Sequence, residues 1–322
     1  MTCLMWFRDD LRLHDNQALS RAAEAASLGD APLVAVVLDE PAYPGTRPLG
    51  GATTWWRERS LYALASDLAD HGVELIRAAG DAREEIPRLA TELGATTVTW
   101  TRRYHGPLRE VDATVKETLA SQGITATSSP GFTLVEPWEV TNGQGQPFKV
   151  FTPFSKAATS QVAGDEPEGV PEMGASASSA SSWPKPTEPA WAASLAEHWT
   201  PGEAEARELW TTGYMHNRVR MVVGSFLTKN LGIHWRLGEE WFWDTLVDAD
   251  AASNPFNWQW VAGCGDDAAP FFRIFNPETQ AQRFDPKGGY VRRWTPALSA
   301  PPIVDLKESR QAALDAYAEI KD

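Results

Sequence analysis

The chain has 322 residues, 43 % hydrophobic and 22 % charged, a composition that supports a packed core and excludes wholesale disorder. Its net charge of −14 excludes a protein that grips polyanions over its whole surface. No apolar run reaches the ~20 residues of a membrane-spanning helix, the start MTCLMWFRDD lacks a signal-peptide pattern, and Cys3 and Cys264 lie far apart with no metal-ligand spacing, so a soluble cytoplasmic protein without a membrane partner is expected.

This length suggests one large or two ordinary domains. The first part alternates short β-rich runs, CLMWF (3–7), PLVAVVL (32–38), VELIRA (73–78), TTVTW (96–100) and ITATS (124–128), with helical stretches at 16–27, 53–71, 82–93 and 108–122. Such alternation predicts an α/β domain over residues 1–131, a parallel sheet flanked by helices. No GxGxxG follows the first strand, so the dinucleotide fingerprint is absent, and no residue type forces a ligand at the strand ends. Residues 132–202 read as a linker: the stretch 164–190 is rich in Pro, Ser, Gly and Ala and suits a tether or a surface-hugging connection. From 203 to 322 the pattern is mainly helical, ending with LKESRQAALDAYAEI at 306–320. Charge is uneven. Residues 1–206 carry 16 basic against 28 acidic side chains, whereas 207–322 carry 13 against 15, so a nucleic acid would meet the second part through a local patch.

Within MHNRVRMVVGSFLTKN (215–230), Met215, Val219, Val222 and Phe226 recur as a buried helical stripe should. Asn217, Arg220, Met221 and Gly224 fall on a second face of amide, guanidinium and thioether, with a glycine that admits close approach to the backbone. That face suits a pocket wall or a solvated surface equally well. Downstream, Asp248 and Asp250 are placed either to form structural ion pairs or to bind the polar edge of a cofactor. The indoles of NWQW and the arginine of FFRIFNP are what stacking on an extruded base requires. Most of the chain's 15 tryptophans are more simply read as core filling.

Two segments carry a resemblance. MWFRDDLRLHDNQAL at the N-terminus and GYMHNRVRMVVGSFLTKNLGIHWRLGEEWFWDTLVDADAASNPFNWQWVAGCGDDAAPFFRIFNPETQAQRFDPKGGYVRRW are similar to the DNA photolyase/cryptochrome family, most closely to bacterial cyclobutane pyrimidine dimer photolyases. The resemblance implies an α/β antenna domain followed by an all-α FAD-binding domain, and light-driven splitting of pyrimidine dimers in UV-damaged DNA. FAD would do the electron-transfer chemistry. Residue by residue, it implies that Asp248, Ala249 and Asp250 lie against the isoalloxazine, that Arg220 pairs with an acid there, and that Asn254 faces the flavin's reactive edge. Trp258 and Trp235 match electron carriers, and Asn217, Arg218, Met221, Trp260 and Arg273 match the dimer pocket and DNA contacts. A second antenna chromophore, a pterin or a deazaflavin, is known in the family. Trp55, Trp56, Arg57 and Arg59 suit such a site or an ordinary amphipathic helix alike.

The helical domain is shortened. HWTPGEAEA runs straight into RELW, without the family's segment that grips the FAD phosphates and without the outer tryptophan, and a second gap falls near LSAPPIV. The expectation is therefore weakened FAD binding and self-association through apolar faces left uncovered. Two alternatives stay open: a cryptochrome-like light sensor, or a non-catalytic remnant that binds little or no FAD.

Overall fold

The computed structural model describes residues 2–133, 135–162, 168–174, 183–193, 213–265, 273–294 and 304–319. HWTPGEAEA, RELW and most of LSAPPIV lie outside the described residues. The chain divides into two compact units, Met1–Leu49 with Thr54–Glu205, and Gly50–Thr53 with Ala206–Asp322.

In the first unit, β1 (Thr2–Phe7), β2 (Leu33–Asp39), β3 (Glu74–Ala79), β4 (Ala95–Thr101) and β5 (Thr125–Ser129) form one sheet in the order β3-β2-β1-β4-β5. Every neighbouring pair is parallel. Between them run α1 (Gln17–Leu28), α2 (Gly51–Asp70), α3 (Ala82–Glu92) and α4 (Gly106–Ser121). Alternation along each strand sends side chains to opposite faces. Met5, Phe7, Ala35, Val37 and Leu75 pack with Leu19 of α1 and Leu61, Leu64 and Leu68 of α2. Leu4, Trp6, Val36, Val98 and Trp100 pack with Ile86 of α3 and Val111, Val115 and Leu119 of α4. The sheet is thus covered on both sides, the condition under which parallel strands read as continuous apolar runs.

The crevice at the carboxyl ends of β1 and β4, where strand order reverses and ligands bind in many such sheets, is closed by its own charges. Arg8 donates to Asp112 at 2.8 and 2.9 Å, and Arg103 bridges Asp112 and Glu40, the latter at 2.7 Å. Asp10, almost wholly buried, accepts from Arg8 N, Asn16 Nδ2 and the Thr101 hydroxyl. Burial pulls the Arg8 pKa down, the neighbouring Arg103 adds to that, and Asp112 only partly restores it.

Parts of the connection fasten to this unit. Met173 enters the core beside α1 and α2, Trp183 donates to Leu75 O at 2.9 Å, and Glu188 accepts from Trp55 Nε1 at 2.8 Å and from Arg59. Arg59 also lies over the Trp55 ring at 4.3 Å, and Arg57 pairs with Asp39. Three of the four side chains weighed for a chromophore therefore fasten the connection or close the end of β2. A helix, α5 (Phe151–Gln161), also belongs to the connection and buries none of its residues.

The second unit contains α6 (Asn217–Ser225), continued by a π turn (Phe226–Asn230), then α7 (Trp235–Thr245), α8 (Ser253–Ala262), α9 (Pro277–Phe284), α10 (Gly289–Trp294) and α11 (Leu306–Glu319). Phe242 and Leu246 of the α7 end and Trp258 of α8 are buried together, with Met215, Val223, Leu227, Trp235 and Ala249 around them. The stripe expected on α6 is not buried: Met215, Val219, Val222 and Phe226 are all half-buried, while Gly224 and Ser225 are the buried residues of that helix. The reason is packing. Helix α8 crosses α6 at its small residues, so the contact is set by close backbone approach rather than by the apolar period. No described helix is long and apolar enough to cross a membrane.

Candidate functional site

The site is built from α6, the end of α7, the turn after it and α8. His216 caps α6, its Nδ1 accepting from Arg218 N at 3.2 Å, so Asn217 begins the helix in an exposed position. One turn on, Arg220 donates to both Asp248 oxygens at 3.0 and 2.9 Å and to Met215 O. Its guanidinium lies 5.2 Å from the Tyr214 ring centroid. Asp248 is nearly half exposed, so the pair adds at most about 1 kcal/mol of stability; its role is to neutralise and fix a charge. Asp250 is exposed, and one of its oxygens accepts from Ala252 N and Ser253 N, capping the start of α8. Ala249, between the two acids, packs on the Phe242–Leu246–Trp258 cluster.

Asn254 and Trp258 stand four residues apart on α8 and are both buried. Asn254 Nδ2 donates to Glu239 O at 3.1 Å and to Glu239 Oε1 at 2.8 Å, which fixes the carboxamide. Trp258 meets Phe242 edge-on, centroids 5.0 Å apart. Its indole is seated on two glycines. A Cβ on Gly238 of α7 would fall 2.2 Å from the ring, and one on Gly224 of α6 would sit 3.7 Å from it. The close approach that Gly224 permits is therefore that of α8, not of a ligand. Trp235, half-buried, joins the same cluster from the start of α7, with His234 stacked on it at 5.8 Å.

Trp260 projects from α8 two residues beyond Trp258. The Arg273 guanidinium covers its ring at 3.8 Å and donates to Trp260 O at 3.2 Å. Ser225, fully buried, holds that segment: its hydroxyl donates to Arg273 O at 3.0 Å and accepts from Phe275 N at 2.9 Å. Arg218 lies over Phe284 at 4.3 Å, and Met221 is half-buried on α6. Lys229, in the π turn, donates to Ala262 O at the carboxyl end of α8, and burial lowers its pKa. The structure thus joins Arg220 with Asp248, Trp260 with Arg273, and Trp258, Trp235 and Ala249 in one cluster with Asn254 on the same helix. Gly238, Glu239 and Ser225 are the residues sequence reasoning missed. A glycine inside a helical pattern is a recognisable sign of close approach, but nothing in GEEWFW marks its first glutamate as buried.

Residues 3–173 match the family model described as DNA photolyase, and residues 202–311 match the one described as the FAD binding domain of DNA photolyase. The chain belongs to the DNA photolyase family. It is similar to the deoxyribodipyrimidine photo-lyase of Agrobacterium fabrum, 32 % identical over 478 aligned positions that cover 99 % of this chain and 98 % of the relative. Because 478 positions hold a chain of 322 residues, the difference lies in internal gaps. Cryptochrome-1 of Arabidopsis thaliana is 27 % identical, over 93 % of this chain and 63 % of that protein. Among solved structures, the bacterial class III photolyase from Agrobacterium tumefaciens superposes with a TM-score of 0.83 at 32 % identity, covering 99 % and 97 % of the two chains.

Proposed function

We propose that this chain is a flavin-dependent lyase that uses light to split cyclobutane pyrimidine dimers in DNA. The observation that carries the reading is the placement of Asn254, Trp258 and Trp260 along one helix: a fixed carboxamide, a buried indole, and a second indole clasped by Arg273. Bound FAD supplies the light-driven electron transfer. The described residues fit its isoalloxazine end. Both contacts of Asn254 Nδ2 are made to Glu239, so the carboxamide oxygen is the polar atom left to meet a ring N–H. Asp250 keeps an oxygen that does not cap α8, and Arg220 balances Asp248. Trp235 and Trp258 would relay an electron toward that edge, and Trp260 with Arg273 would hold the extruded dimer.

The family's phosphate-gripping segment is among those this sequence lacks, so we infer weaker retention of FAD. Each charge-assisted hydrogen bond lost removes about 1.5–3 kcal/mol, or roughly one to two powers of ten in affinity. A cryptochrome-like sensor is the second reading, favoured by the Arabidopsis relative; the clasped Trp260 weighs against it, because sensing does not require a lesion pocket. The exposed Leu237, Trp241 and Phe256 also support self-association, to be read by sedimentation against concentration. The deciding experiment reconstitutes the protein with FAD, titrates flavin absorbance, and follows loss of dimers from a defined oligonucleotide under blue light and in the dark. Light-dependent loss supports repair. Flavin-loaded protein that leaves the dimers intact refutes it.

A further inference from the structure

We propose that the hairpin and helix at residues 140–161 of the α/β unit form a second DNA contact, one that grips backbone phosphates and reads no lesion. This rests on the reading of the chain as a DNA-binding photolyase. The first observation is charge. Residues 140–164 include Lys149 and Lys156 and not one Asp or Glu, within a first part whose acidic side chains outnumber its basic ones 28 to 16. This is the longest acid-free stretch of the α/β unit; shorter ones at 41–57 and 93–109 hold arginines of which Arg57, Arg102 and Arg103 are ion-paired. Two more lie in the helical unit, 209–238 with Arg218, Arg220, Lys229 and Arg236, and 286–304 with Lys287, Arg292 and Arg293. The first of these two holds the candidate lesion residues of α6. A polyanion repelled by the rest of the α/β unit has an approach here.

The second observation is exposure without a structural use. Both lysines are exposed, and among the described residues neither is ion-paired. Helix α5 buries nothing, yet Val150 and Phe151 ahead of and at its start are 54 % and 66 % exposed. A helix with no buried face is poorly explained as part of a fold. Aromatic rings beside lysines suit the sugar–phosphate edge of DNA.

The third is order. A bridge between Thr141 and Pro147 closes the hairpin, and Asn142 Oδ1 accepts from Gln144 N at 2.9 Å and Gln146 N at 3.1 Å. The loop is therefore shaped before any partner arrives. Asn142, Gln146, Phe148, Lys149 and Pro153 line a shallow groove between hairpin and helix, with amide donors and a cation next to an apolar floor.

The test measures fluorescence anisotropy of the full chain with a labelled duplex, with and without one thymine dimer, over a range of KCl concentrations. The double variant Lys149→Gln, Lys156→Gln should flatten the plot of log affinity against log salt by about 1.8, at about 0.9 per phosphate contact. Affinity for damaged and undamaged duplexes should fall by the same factor. An unchanged slope overturns the proposal, and so does a loss confined to the damaged duplex. A wild-type protein that binds duplex without preferring the dimer refutes the repair reading instead, and the slope still decides this one. Failure to bind either duplex overturns both.

Discussion

Two glycines face the same indole, and an alanine at each should have opposite effects. A Cβ at Gly224 would sit 3.5 Å from Val261 and 3.7 Å from the Trp258 ring, ordinary contact distances. Gly224→Ala should therefore gain the helix-propensity difference of about 0.8–1 kcal/mol with no steric cost. A Cβ at Gly238 would fall 2.2, 2.5 and 2.8 Å from three ring atoms of Trp258. That ring is 4 % exposed, rigid and pressed against Phe242, so it cannot rotate clear. Overpacking of a core costs about 1–3 kcal/mol. Placed near the upper end and set against the propensity gain, Gly238→Ala should destabilise the helical unit by about 1–2 kcal/mol. For a unit of this size each kcal/mol moves the melting temperature by about 4 °C. Thermal unfolding followed by near-UV circular dichroism reads both changes. A Gly238→Ala protein as stable as wild type, or a destabilised Gly224→Ala protein, would refute the account of how Trp258 is seated.

Glu239→Ala strips Asn254 Nδ2 of the side-chain acceptor at 2.8 Å and should cost about 1–3 kcal/mol, the penalty of a buried donor left unmatched; urea unfolding measures it, and a loss below experimental error would mean that the contact is dispensable. Arg220→Ala breaks a half-exposed pair and should move stability by no more than about 1 kcal/mol, while lowering flavin affinity in a fluorescence-quenching titration; unchanged affinity would remove Arg220 from the site. Burial pushes the Asp39 carboxyl up, but hydrogen bonds from Arg77 and Arg57 outweigh it and hold the pKa below the ordinary range. A carboxylate depressed in the fold adds stability above its unfolded pKa of ~3.9 and loses it as pH falls through the folded value. Melting temperature should thus drop more steeply below about pH 4 in wild type than in Asp39→Asn; parallel profiles would count against the pairing.

Most of the α/β unit could be read from the sequence because its signals are local. Runs such as PLVAVVL are buried on both faces and need no partner to be recognised, and each of the five strands falls within a residue or two of its expected bounds. The helical unit was legible by resemblance more than by pattern. It implied that Arg220 pairs with an acid, and in the structure that acid is Asp248. The apolar period of α6 misled, because period reports which residues could be buried, and the neighbour that arrived was α8 with Trp258, which needs a shallow surface. Trp55 and Arg59 suited a chromophore site and an ordinary amphipathic helix alike. Their partner, Glu188, is more than 100 residues away in the chain, and no local signal announces it. Ser225 is illegible for the same reason: a hydroxyl in a helix becomes a clasp only when the segment from Arg273 to Phe275 lies against it.

Among the described residues the helical unit has one small apolar cluster, Phe242, Leu246 and Trp258, with Val261 buried beside Gly224, where the sheet of the other unit is sandwiched between two far larger clusters. Such a unit opens locally at low free energy, and its amides should exchange with deuterium well before those of β1, β2 and β4. A ligand that binds only the closed form adds RT ln(1 + [L]/Kd) to that opening cost. Flavin would then serve this chain as interior as well as reagent, and the slowing of exchange along α7 and α8 on adding it would report how much of the fold the cofactor completes.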